Sequence, residues 1–81
     1  MLVTVRLFAR LREIVGDGEL RRTVADGIDA GSLWAELARD HPALEPYGAS
    51  ISCAVNEEYA KFSTRLKDGD EVAFLPPVSG G

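Results

Sequence analysis

The residues with the clearest chemical potential are the last six, Pro76-Pro77-Val78-Ser79-Gly80-Gly81. An α-carboxyl has an ordinary pKa of about 3.3–3.7, so Gly81 presents an ionised carboxylate at neutral pH. Gly80 and Gly81 have no Cβ, so they fit a narrow channel and reach backbone angles closed to other residues. Pro76 and Pro77 lack a backbone N–H and hold φ near −65°, which stops any strand running through Phe74 and Leu75. Extended, residues 76–81 reach roughly 20 Å from the body of the protein. Together they form a reacting carboxylate on a thin arm. A short, glycine-rich terminus also reads as an idle frayed end. The Pro-Pro-Val spacer behind a strong strand favours the first reading.

The other reactive side chains assemble nothing comparable. His41 and Cys53 are single, so no Ser-His-Asp set, metal-ligand cluster or phosphate loop is available. Cys53 alternates with Ile51 and Val55, as a small buried hydrophobe does, and reactive thiols need electropositive, partly exposed surroundings. One cysteine also excludes an internal disulfide. His41 precedes Pro42 and reads as a helix cap or surface residue. Asp68 and Asp70 flank Gly69, a common turn arrangement, and lack the spacing of a calcium loop.

At 81 residues the chain is one domain, taken here as 1–75, with 76–81 a flexible Gly-Gly tail. Its 46% hydrophobic content fills one layer between a sheet and a helix. Thirteen acidic against nine basic residues give a net charge of −4, which argues against nucleic acid and is compatible with a basic protein partner. No stretch has the pattern of a signal peptide or an apolar span, so no membrane partner and a cytoplasmic location are expected.

The elements that must carry the tail follow from periodicity. Val3, Val5 and Leu7 alternate in a first strand over residues 1–7. Phe8, Leu11 and Val15 then take helical spacing, and Gly16 ends that short helix. Residues 19–24 form a second strand on Leu20 and Val24, interrupted by Arg21-Arg22. Asp29 caps the main helix, whose stripe is Ala30, Leu33, Trp34, Leu37 and Ala38, and Pro42 ends it. Gly31 and Ser32 are poor formers in its first turn. Residues 43–50 read as a loop, 51–56 as a third strand, and Tyr59 to Phe62 as a fourth. Leu66 packs before the turn at 67–70. The last strand, residues 71–75, is apolar on both faces and belongs in the middle of the sheet, parallel to the first. The fold class is α+β, a mixed sheet of about five strands on one main helix plus a short one.

That order and the Gly-Gly end resemble the β-grasp, or ubiquitin-like, fold. Two segments, Leu7 to Gly16 and Leu66 to Gly81, resemble the small subunits of molybdopterin synthase, a sulfur-carrier family. The resemblance implies that an ATP-dependent, E1-like enzyme adenylates Gly81. A sulfur donor protein then replaces the adenylate, leaving a thiocarboxylate. It implies docking on a large catalytic subunit, in a heterotetramer, with residues 76–81 threaded into that subunit's active site. There the sulfur passes to a cyclic pterin monophosphate precursor. Phe8, Arg12, Tyr59 and Leu75 match positions where the family meets the large subunit, although Phe8 and Leu75 also read as core. No cofactor or metal is implied for this chain, and ATP is used by the activating enzyme. The chain would be a non-catalytic donor subunit. A carrier for thiazole, cysteine or tRNA thiolation, a ubiquitin-like modifier, and an interaction domain with an idle tail are the alternatives.

Overall fold

The computed structural model describes residues 1–77, and Val78, Ser79, Gly80 and Gly81 lie outside the described residues. The elements are β1 (Leu2–Leu7), α1 (Ala9–Val15), β2 (Glu19–Thr23), α2 (Ala30–Asp40), a 3-10 helix (Pro42–Tyr47), β3 (Ser52–Val55), β4 (Glu58–Ala60) and β5 (Glu71–Leu75). The strands form a single sheet in the order β2-β1-β5-β3-β4. β1 and β5 are central and parallel, with Val5 opposite Val72 and Leu7 opposite Phe74. The other three pairings are antiparallel.

The alternation in β1 and β5 sends Val3, Val5, Leu7, Val72 and Phe74 to one face, where all are buried. α2 covers that face with Ala30, Leu33, Trp34, Leu37 and Ala38, the stripe its spacing predicts. The Trp34 and Phe74 rings meet at 5.2 Å between centroids and a 60° tilt, a favoured aromatic geometry. Among the described residues, no helix is long and apolar enough to cross a membrane.

The start of α2 shows why Gly31 stands there. The Asp29 side chain accepts the Ser32 N–H at 2.7 Å. Two further N–H groups of the first turn, those of Ala30 and Gly31, donate to the Thr64 and Phe62 carbonyls at 3.0 and 2.8 Å. A Cβ at Gly31 would lie 3.3 Å from the Phe62 oxygen, tighter than most such contacts, so glycine eases the close approach. The same bonds shorten the fourth strand. It was expected to reach Phe62 but ends at Ala60, because the carbonyls beyond it serve the helix rather than the sheet.

One other expectation is corrected. Residues 43–50 are not simply a loop, since Pro42 opens the 3-10 helix and Leu44 is fully buried under it. Proline suits such a start because its φ is preset and its missing N–H is not needed there. The Arg21-Arg22 interruption in β2 also has a use. Arg22 faces inward at the sheet edge, 2.8 Å from Asp40 and 3.7 Å from Glu36 of α2, so its stem covers the helix while its charge is matched. In the turn at 67–70, Asp68 accepts the Leu2 N–H at 2.8 Å and Asp70 the Lys67 N–H at 2.8 Å.

Leu37→Ala is expected to destabilise the fold by about 2–5 kcal/mol in urea unfolding, because the fully buried site leaves a cavity. Hydrogen bonding to Ser32 holds the Asp29 carboxyl below its ordinary value. Its contribution is therefore present above the unfolded value, near pH 4, and is lost as pH falls through the lowered folded value. Asp29→Asn keeps the capping oxygen, and its melting temperature is expected to fall less than that of the parent on acidification through this window.

Candidate functional site

The sheet face turned away from α2 carries the site. Arg6 pairs with Glu19 on one side and Ala73 on the other, Ala73 with Ala54, and Ala54 with Tyr59. One row therefore crosses all five strands, with two alanines in the middle and long side chains beyond them. The short central residues leave a trough of about 430 Å³. Phe8, Leu75, Glu57 and Glu71 complete its lining.

Phe8 and Leu75, which the sequence leaves open between core and surface, both line this trough. Phe8 is 38% exposed and Tyr59 82% exposed, unusual for large apolar side chains. Phe8 keeps the outward phase of β1, and the chain then turns sharply at Ala9, whose φ is +50°. That turn lets α1 bend back, so that its buried contact is Leu11 and not Phe8. The Arg6 guanidinium lies 5.7 Å from the Phe8 ring centroid, within cation–π reach. Glu71 at 3.7 Å and Glu19 at 4.0 Å offset its charge.

Leu75 ends β5, and half-buried Pro76 and exposed Pro77 continue from it. The trough thus reaches the root of the tail. Arg12 does not line it. Its side chain lies over Gly18, where an added Cβ would be 3.2 Å from Arg12 Cδ. Arg6, Ala54, Glu57, Glu71 and Ala73 were not singled out from the sequence. The outward phase of Arg6 and Ala73 was readable from alternation, but their common row depends on strand pairing between distant segments.

Cys53 is buried, its Sγ donates to the Ala60 carbonyl at 3.2 Å, and burial pushes its thiol up. The His41 N–H donates to the Leu37 carbonyl at the end of α2. Neither side chain lines the trough, which offers apolar surface with a charged margin and is suited to binding.

A mixed five-stranded sheet in this order, folded around one helix, is the β-grasp or ubiquitin-like fold. The chain belongs to the ThiS family, whose model matches residues 5–81. It is 40% identical over 83 residues to a molybdopterin synthase sulfur carrier subunit of Chlamydomonas reinhardtii, covering 100% of both chains. Among solved structures it is similar to SAMP1 from Haloferax volcanii, at a TM-score of 0.86 and 34% identity over 100% of both chains. It is also similar to a chain in the complex of subunits 1 and 2 of the molybdopterin-converting factor from Helicobacter pylori. There the TM-score is 0.69 and the identity 27%, again over 100% of both chains.

Ala9→Gly is expected to stabilise the protein by up to about 1 kcal/mol, because glycine meets a positive φ without the Cβ penalty. Denaturant unfolding checks this. A loss of stability would show that helix propensity at position 9 outweighs the backbone strain.

Proposed function

We propose that this chain is the sulfur-carrier subunit of a molybdopterin synthase. The observation that carries the reading is the meeting of Phe8, Tyr59 and Leu75 in one trough at the strand end from which the tail departs. The full-length likeness to sulfur carrier subunits supports it.

On this reading Gly81 bears the reacting carboxylate. A carboxylate is a poor electrophile. An activating enzyme joins it to the AMP part of ATP and releases pyrophosphate, which makes it a good acyl donor. Sulfide-level sulfur delivered by a donor protein attacks the acyl carbon, the bond to AMP breaks and AMP leaves, and Gly81 becomes a thiocarboxylate. That group is anionic at neutral pH, and its sulfur is soft and nucleophilic. The trough then docks on the large catalytic subunit, and Pro76, Pro77, Val78, Ser79 and Gly80 lead the sulfur into the active site. The pterin precursor accepts it there, toward the dithiolene that holds molybdenum. Tethering makes the delivery effectively intramolecular once the body is docked. This chain acts in the cytoplasm as a stoichiometric, non-catalytic participant. It holds no cofactor of its own, and ATP is spent by the activating enzyme.

The likeness to SAMP1 favours a second reading, a modifier that joins Gly81 to lysines of other proteins. Both begin with an acyl adenylate, and they part at the acceptor. Isopeptide-linked adducts of Gly81 in cells would support the modifier. A chain found only as thiocarboxylate and free acid would support the carrier.

Intact-mass measurement after incubation with ATP, the cognate activating enzyme and a sulfur source is expected to show one sulfur-for-oxygen exchange. A chain extended by one residue beyond Gly81 is expected to show none, since its terminal acid no longer fits the same channel. Ala73→Leu fills the trough from an outward position. It is expected to weaken binding to the large subunit by at least about tenfold, or about 1.4 kcal/mol, with little change in thermal stability. Unchanged affinity would move the docking face elsewhere.

A further inference from the structure

Asn56 and Glu57 connect β3 to β4, and both have positive φ, +50° and +70°. Two consecutive left-handed residues between antiparallel strands make a type I′ turn, in which asparagine suits the first place and glycine the second. Glutamate in the second place carries a Cβ that crowds the following carbonyl. The turn cannot relax, because β5 and its approach grip it from three sides. The Asn56 N–H donates to the Glu71 carbonyl at 2.8 Å. Asn56 Nδ2 donates to Asp70 Oδ1 at 2.9 Å, and Asn56 Oδ1 accepts the Glu71 N–H at 3.0 Å. Glutamate therefore stands where this backbone favours glycine.

What the residue does there is visible from its position. Glu57 lines the trough. Arg6, the cation in that lining, is already matched by Glu71 and Glu19. Among the described residues, Glu57 has no cationic partner within 4.0 Å. It is an uncompensated carboxylate on the lip of an apolar depression, in a chain of net charge −4. A partner that covers the trough removes water from that carboxylate, and a cation placed against it offsets the loss.

We propose that Glu57 is a specificity residue of the docking face, whose carboxylate pairs with an arginine or lysine of the docked partner. The strained turn holds it toward that partner. This inference rests on the reading of the trough as the docking surface, and the test separates the two. Glu57→Gln keeps the turn and removes the charge, whereas Glu57→Gly removes the charge and relaxes the turn. Both variants are expected to bind the purified large subunit about fivefold more weakly at about 0.1 M salt. Glu57→Gly is expected to melt on the order of 4 °C above the parent, and Glu57→Gln at the parent temperature. Phe8→Asp serves as the control for the trough. If Phe8→Asp abolishes binding while Glu57→Gln binds like the parent at low salt, the proposal is overturned and the docking face stands. If Phe8→Asp and Glu57→Gln both bind like the parent, the trough is not the docking surface and both readings fall.

Discussion

Val5 lies against Val72 and Leu7 against Phe74 across a parallel ladder at the centre of the sheet. All four side chains are essentially excluded from water, and burial of each contributes about 1.5–3 kcal/mol. Parallel pairing of the first and last strands forbids a short connection between them. The intervening chain has to cross over, and α2 is the layer that makes the crossing and covers the core. The same pairing decides where the chain emerges. β5 ends between β1 and β3, so Pro76 leaves from the middle of the sheet and not from an edge. The trough on the outer face of those strands reaches Leu75, and so lies beside the start of the tail.

The two faces of the sheet divide the work. The face under α2 takes Val, Leu and Phe and supplies the stability of a small domain. The outer face has alanine at its two central positions, Ala54 and Ala73, and is shaped by what surrounds them. Two of the non-glycine residues with positive φ, Ala9 and Glu57, flank this face and not the core. Such strain persists only where neighbouring contacts over-determine the backbone. Leu11 in the core does this for α1, and the hydrogen bonds of Asn56 do it for the β3–β4 turn. The stability of one face thus permits unfavourable geometry around the other. The proposed chemistry needs no motion within the body: a rigid face docks, and the reacting group arrives on the tail.

Local pattern alone determined much of this protein. Period-two alternation assigned the inward sets of β1 and β5, and 3.6-residue spacing assigned the buried stripe of α2. Asp29 and Gly16 marked a helix start and a helix end through chemistry confined to a few neighbouring residues. The apolar character of residues 71–75 on both faces placed that strand centrally. The Gly-Gly end and the segments at 7–16 and 66–81 carried the family resemblance. What only the tertiary structure decided involves partners far apart in sequence. The end of β4 at Ala60 depends on carbonyls claimed by α2, about thirty residues earlier in the chain. Arg22 belongs in its strand because Glu36 and Asp40 wait on a helix. Arg6, rather than Arg12, enters the trough because strand register sets Glu19, Arg6, Ala73, Ala54 and Tyr59 in one line. Register is a non-local quantity: alternation says which face a residue takes, while only the pairing of separate strands says which residues stand side by side.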